Sequence, residues 1–237
     1  MGVGDLISGD GLGAIVSLLV VLGVLAFLLV LGVVGVVVIL VVANRAEPDP
    51  SGRRPFSVYL FAVSFITLWT AVLGAIGFVG SLVQLIGTTR LAGPGIHPVG
   101  DAVARGAVLS GIVVVVSLAI LVVHLGKGLE YARADGAARG PSGRVGQTYV
   151  AAVAFVSVLV FVLSVIVALY AVFKIIAPGV FGAAAGRTGA GRMIIDALWS
   201  AAVAIAVAAS HRGLLPPGIQ VLDLFRGKPP SALPQPE

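Results

Sequence analysis

Apolar residues along this chain form five continuous runs, separated by segments rich in glycine, proline and charged residues. The runs cover about residues 14 to 43, 56 to 87, 102 to 125, 146 to 176 and 192 to 210. Each is long enough for a helix to cross a hydrocarbon core of about 30 Å, which needs about 20 residues. Because the apolar residues are continuous and do not alternate with polar ones, the pattern disfavours a barrel of strands. The predicted fold is an all-α membrane protein with five transmembrane helices.

The second and fourth runs align with each other. Residues 54–86 match residues 144–176 without a gap at an offset of ninety positions, and nine of the thirty-three aligned pairs are identical. The helix that follows each copy aligns at an offset of eighty-seven. The polar and aromatic identities are Arg54 with Arg144, Tyr59 with Tyr149, Phe65 with Phe155, Arg105 with Arg192, and His124 with His211.

This alignment predicts a tandem repeat of two helical hairpins, residues 54–126 and 144–213, that form a four-helix core. Each hairpin returns the chain to its starting side, so both copies have the same orientation and a pseudo-twofold axis runs along the membrane normal. An N-terminal helix and linker, residues 1–53, stand outside the repeat. A proline-rich cytoplasmic tail, residues 214–237, follows it.

Composition and charge are typical of an integral membrane protein. The chain has a mean hydropathy of +1.13 and 11% charged residues, against roughly 25% in soluble domains. Its lysines and arginines lie between the apolar runs, ten on one side of the predicted topology and five on the other. Since basic residues favour the cytoplasmic side, we expect a multi-pass protein of the cell membrane with its N-terminus outside and its C-terminus cytoplasmic. The net charge of +5 is therefore a topology signal, and no nucleic-acid partner is predicted.

Two histidines are the first candidates for a cofactor. His124 and His211 are predicted near the cytoplasmic ends of the third and fifth helices, at matching depth. Two neutral imidazoles that face each other across a pseudo-twofold axis can ligate a haem. The alternative is that both are interfacial side chains that end a span, which predicts no cofactor and no metal. The chain has no cysteine, so disulfides, thiolate metal sites and a cysteine nucleophile are excluded.

Other polar residues lie near the predicted ends of the spans. Four of them could line a polar pathway from the outer face: Gln84, Lys174, Arg192 and Asp196. The alternative is snorkelling to the headgroups, with Arg192 and Asp196 paired at a spacing of four residues. At the cytoplasmic face we expect four interfacial anchors: Arg54, Tyr59, Arg144 and Tyr149. Antiparallel hairpins would bring Tyr149 beside His211, within reach of a hydrogen bond.

Two short patterns carry a resemblance. The first is Arg54-Pro-Phe-Ser-Val-Tyr59, and the second is Leu121-Val-Val-His124 at the end of the following span. With them the chain resembles uncharacterised bacterial membrane proteins grouped as a domain of unknown function, here in two tandem copies. The resemblance covers both hairpins and leaves out the first helix and the tail. It implies a multispanning inner-membrane protein with no established activity.

Function is predicted by class only. The chain has no phosphate-binding loop and no HExxH motif, and no apolar run contains two carboxylates placed for acid–base chemistry. The shortage of polar residues in the spans favours a non-enzymatic assembly or structural component of the membrane. Its partners would be the lipid bilayer, and other membrane proteins or further copies of itself. The alternatives are a small transporter or channel module, and a haem-binding membrane subunit.

Overall fold

The computed structural model describes Gly35 and residues 49–85, 98–135, 140–178 and 186–212. Apart from Gly35, these residues contain four long helices: α1 (Arg54–Leu85), α2 (Pro98–Ala134), α3 (Pro141–Ile176) and α4 (Gly186–Arg212). All four are long and apolar enough to cross a membrane. The all-helical prediction is confirmed for these residues, and the four helices are compatible with a multi-pass membrane protein. Apart from Gly35, the predicted first helix lies outside the described residues, as does the tail.

Helix α2 is longer than its apolar run. The run predicts an end near residue 125, whereas the helix continues to Ala134. Polar contacts support the extension, because the Lys127 ammonium donates to the Glu130 carboxylate at 2.8 Å. The extension also packs on α1, where the Phe61 ring lies against Gly128, 3.2 Å from where a Cβ would stand. The end of the apolar run therefore does not mark the end of this helix.

Local signals set the starts of α1 and α3. The Asp49 carboxylate accepts a hydrogen bond from the backbone N–H of Arg54 at 3.0 Å, which satisfies one of the donors left open in a first helical turn. Helix α3 begins with Pro141 after Gly140, whose backbone is extended. Proline suits the first helical position because its φ is already helical and no N–H is needed there.

The helices pack as two hairpins around a central pair. Helix α1 packs mainly on α2 and α3 mainly on α4, while α1 and α3 also contact each other. In the described chain α2 and α4 do not touch, so α1 and α3 form the short diagonal of the bundle. Exchanging the two hairpins would leave this pattern unchanged. That supports the predicted tandem repeat, which itself stays a prediction.

The centre of the bundle lies between α1 and α3. Phe61 and Phe65 of α1 are completely buried against Tyr149 and Val153 of α3. Gly35 also approaches this centre, since a Cβ on it would lie 2.6 Å from the Phe65 ring. Lipid tails are as apolar as leucine, so in a bilayer such a core would be stabilised by close packing and not by removal from water.

Small residues bring α1 and α2 together. A Cβ on Gly74 would lie 2.9 Å from a methyl group of Val114, and one on Gly77 would lie 3.1 Å from the Ser110 hydroxyl. On the facing helix, a Cβ on Gly106 would lie 3.2 Å from the Ser81 hydroxyl. Gly74 and Gly77, three residues apart in α1, therefore allow the two helices to approach closely.

Candidate functional site

Tyr149 and His211 meet inside the bundle. The Tyr149 hydroxyl lies 3.0 Å from Nε2 of His211, and Nδ1 of the same ring lies 2.8 Å from the carbonyl oxygen of Val207. A carbonyl can only accept, so Nδ1 carries the proton of a neutral ring and Nε2 accepts from the tyrosine hydroxyl. The Phe61 ring covers Tyr149, with ring centroids 5.4 Å apart. Both ring nitrogens of His211 are thus engaged within the protein.

The corresponding residues of the first hairpin lie at the surface. The rings of Tyr59 and His124 meet edge to face, with centroids 5.8 Å apart, and Tyr59 is 53% exposed. His124 also bonds within its own helix, with Nδ1 2.9 Å from the Ile120 carbonyl oxygen. Phe56 extends the group, because its ring contacts both Tyr59 and Tyr131. We call this surface of Phe56, Tyr59, His124 and Tyr131 the Tyr59 face.

Aligned positions of the two hairpins differ in their surroundings. Of the two tyrosines, Tyr149 in the second hairpin is completely buried and Tyr59 in the first is mostly exposed. Of the two phenylalanines, the one in the first hairpin is buried instead: Phe65 is 1% exposed and Phe155 is 60% exposed. Tyr149, predicted as an interfacial anchor, has its ring in the protein core. The two hairpins share a sequence pattern without sharing an environment at these positions.

A buried carboxylate, which no sequence pattern predicts, joins three segments of the chain. Asp135 follows α2, and its side chain is only 5% exposed. It accepts hydrogen bonds from the hydroxyl of Ser142 in α3 and, at 3.4 Å, from that of Ser51 before α1. The Arg53 guanidinium lies 3.8 Å away. No regular spacing links these four residues, so the sequence carries no signal for them.

The starts of α1 and α3 and the ends of α2 and α4 lie at the same end of the bundle as Asp135, and we call it the Asp135 end. Both tyrosine–histidine pairs therefore lie at this end. The predicted anchors Arg54 and Arg144 lie in the first turns of α1 and α3, where Arg54 is half-buried and Arg144 exposed. All the residues predicted for the cytoplasmic interface therefore belong to one end of the described bundle.

The four residues predicted to line a polar pathway lie towards the opposite end of the bundle, which we call the Asp196 end. Oδ1 of Asp196 is buried with no hydrogen-bond partner among the described residues, and it lies 3.7 Å from where a Cβ on Gly80 would stand. Lys174 instead lies over the Tyr170 ring, with Nζ 5.5 Å from its centroid, and Gln84 is exposed. Arg192 is half-buried one turn before Asp196. Within the described chain, no hydrogen bond or ion pair joins Lys174 or Gln84 to Asp196.

The two histidines predicted as haem ligands lie on helices that are not in contact with each other in the described part of the chain. His124 lies on α2 and His211 on α4, and the central pair α1 and α3 separates those two helices. The Nε2 lone pair of His211, which iron would need, accepts from Tyr149. Across the described residues, no group of three or more histidine, cysteine, aspartate or glutamate side chains could hold a metal ion.

Comparisons with protein families, with curated proteins and with solved structures find no match for this chain. The resemblance to uncharacterised bacterial membrane proteins therefore stays a prediction. Any function has to be argued from the residues themselves, of which the two tyrosine–histidine pairs and Asp196 are the most informative.

Proposed function

We propose that this chain is a non-enzymatic component of a membrane assembly, and that the Tyr59 face contacts another membrane protein or a second copy of the chain. One observation carries the proposal. The same pair of side chains is used twice, buried as a link between α3 and α4 and presented outward on α1 and α2. In the buried copy the pair links two helices while Phe61 of a third helix covers it.

The composition of the Tyr59 face supports a protein partner. Aromatic side chains are enriched at protein interfaces, because they offer a large rigid contact area together with a polar group. The apolar surface beside it is also extensive, since only 11% of the most apolar window of α2 is buried within the bundle. A partner helix placed there would cover Tyr59 as Phe61 covers Tyr149.

The test is the native mass of the gently solubilised protein, combined with site-specific crosslinking. A photoreactive amino acid at Tyr59 should give a crosslinked species in the host membrane. The matched control is the same amino acid at Tyr170, which is 44% exposed at the Asp196 end and should give none. A strict monomer with no co-purifying protein and no crosslink from position 59 would contradict the proposal.

The proposed setting is the cell membrane, with the Asp135 end on the cytoplasmic side. The support is the excess of lysine and arginine in the segments assigned to that side, ten against five. The first predicted helix would then begin outside, and the tail after α4 would lie in the cytoplasm.

A small transporter or channel module is the second candidate, and Asp196 is the observation that favours it. A carboxyl group in a membrane-spanning helix is costly and commonly marks an ion or proton pathway. Asp196→Asn should abolish any proton leak that the purified protein gives in proteoliposomes loaded with a pH dye. Ser200→Ala, one turn along α4, is the control and should leave the leak unchanged. Absence of a leak in the unaltered protein would remove proton conduction.

Haem binding is the third candidate and rests on sequence alone. Its cheapest test is the absorbance spectrum of protein expressed with haem supplied. A Soret band that disappears in His211→Ala would establish it in spite of the Tyr149 hydrogen bond. A spectrum without that band would remove it.

A further inference from the structure

An apolar groove runs along the outer surface between α3 and α4. It has a volume of about 300 Å³ and is lined by Ser157, Val158, Phe161, Ala204, Ile205, Ala208 and Ala209. The groove exists because the alanines on α4 have small side chains, and Val158, Phe161 and Ile205 form its walls. The groove opens to the exterior of the bundle, where the surrounding medium of a membrane-spanning helix is hydrocarbon.

The groove lies at the depth of one leaflet. Ala208 and Ala209 at its near end adjoin His211, whose partner Tyr149 is five residues from Arg144 in α3. Val158 is fourteen residues from Arg144, or about 21 Å along the helix, and the two positions are about 40° apart around its axis. One leaflet has a hydrocarbon layer of about 15 Å and a headgroup region of about 5 to 7 Å. Their combined thickness matches the distance between Arg144 and Val158.

The charge at the Asp135 end matches an anionic headgroup. Arg144 is exposed in the first turn of α3, on the hairpin that forms the groove. Across the described residues of this end, five basic side chains outnumber three acidic ones: Arg53, Arg54, Lys127, Arg133 and Arg144 against Asp49, Glu130 and Asp135. A basic residue near the membrane surface attracts anionic lipid.

We propose that the groove between α3 and α4 is a binding site for an anionic phospholipid of the bilayer, with an acyl chain in the groove and the phosphate at Arg144. The site is separate from the Tyr59 face, which lies on the other hairpin. It would hold one lipid more firmly than the lipids that contact the rest of the surface.

Tryptophan quenching by brominated lipid tests this directly. The reporter is Phe161→Trp in the full chain, with Trp69 and Trp199 replaced by phenylalanine. Ile112→Trp in the same background is the control, because Ile112 is 54% exposed on α2 and as far from His124 as Phe161 is from Tyr149. Phosphatidylglycerol and phosphatidylcholine with brominated chains are compared at equal low fractions in vesicles.

We expect half-quenching of the Phe161→Trp reporter at an about fivefold lower fraction of brominated phosphatidylglycerol than of phosphatidylcholine, the selectivity that one basic residue near the surface provides. Arg144→Gln should remove the preference, whereas Arg133→Gln, which removes the same charge from α2, should leave it. Ala208→Leu should fill the groove and reduce quenching by both lipids.

Three outcomes would overturn the proposal. Equal quenching by the two lipids would mean that only unselective boundary lipid fills the groove. An equal preference at Ile112→Trp would mean that the general surface charge attracts the anionic lipid. A preference that survives Arg144→Gln would place the phosphate elsewhere. Circular dichroism of each variant identifies misfolded protein, and Ala209→Leu replaces Ala208→Leu if the latter is misfolded.

Discussion

The hydroxyl of Tyr149 and Nε2 of His211 lie 3.0 Å apart in the core of the bundle, and they tie the beginning of α3 to the end of α4. The Val207 carbonyl fixes the tautomer of the imidazole, so the ring accepts from the tyrosine. Phe61 of α1 covers the pair. The contact therefore connects the two helices of one hairpin at the point where the other hairpin packs on it.

Tyr149→Phe should lower the free energy of unfolding by about 1 kcal/mol, since it removes a hydrogen bond and leaves the imidazole nitrogen without a donor. Tyr59→Phe makes the same chemical change at an exposed ring and should stay within about 0.5 kcal/mol of the unaltered protein. Equilibrium unfolding in mixed micelles, followed by far-ultraviolet circular dichroism, gives both values. Equal effects of the two changes would show that the buried bond adds no stability.

The sequence predicts the helices well but does not predict their rotation about their axes. A span has to satisfy every backbone hydrogen bond internally, so an apolar run of this length predicts a helix. Which face turns inward is a different matter, because α1 and α3 are apolar on all sides and lipid is as apolar as a protein core. Tyr59 and Tyr149 therefore appear equivalent in sequence, and packing makes one exposed and the other buried.

The contacts of Asp135 with Ser51, Arg53 and Ser142, which we call the Asp135 cluster, could not be predicted from the sequence either. Tyr149 lies near the start of one helix and His211 near the end of the next, antiparallel helix. The number of residues along each helix therefore predicts that the two side chains lie at the same level of the bundle. Asp135 meets Ser51 and Ser142 through turns between helices, where no periodic pattern exists. Only the folded chain brings these residues together.

Asp135→Asn should lower the free energy of unfolding by about 2 kcal/mol, because a buried carboxylate that accepts from two hydroxyls and faces Arg53 loses its charge. Glu130→Gln is the matched control. Its carboxylate pairs with Lys127 at the surface, where solvent screens the pair, so its loss should lower the stability less than Asp135→Asn does. The same unfolding assay measures both. A larger loss for Glu130→Gln than for Asp135→Asn would contradict the role assigned to the cluster.

Gly74→Ala should destabilise the α1–α2 hairpin by about 1 to 3 kcal/mol, because the new methyl group would lie 2.9 Å from Val114. Gly126→Ala provides the comparison on α2, since a Cβ there would meet no atom within 4 Å. That change should be neutral or stabilise the protein by up to about 1 kcal/mol, owing to the helix propensity of alanine. Thermal unfolding in detergent ranks the two variants, and the reverse order would refute the close packing at Gly74.

Acid should weaken the start of α1. The backbone N–H of Arg54, which donates to Asp49, holds the pKa of that carboxyl below its usual value of 3.8. A depressed pKa in the folded state stabilises the protein above the unfolded pKa, and the contribution is lost as the pH falls through the folded value. Asp49→Asn should therefore be less stable than the unaltered protein at neutral pH, and the difference should vanish on acidification. A difference that is constant across the acid range would exclude this linkage.

Cysteine labelling would determine the orientation of the bundle, and the absence of native cysteine makes every introduced thiol unique. Ser51 and Ala134 are exposed at the Asp135 end, and Pro178 is exposed just after α3 at the opposite end. Ser142 would be a poor position, because it is completely buried. In intact cells a membrane-impermeant maleimide should label Pro178→Cys and spare Ser51→Cys and Ala134→Cys, which should react only after the membrane is opened. Labelling of position 51 or 134 from outside would reverse the topology that the basic residues predict.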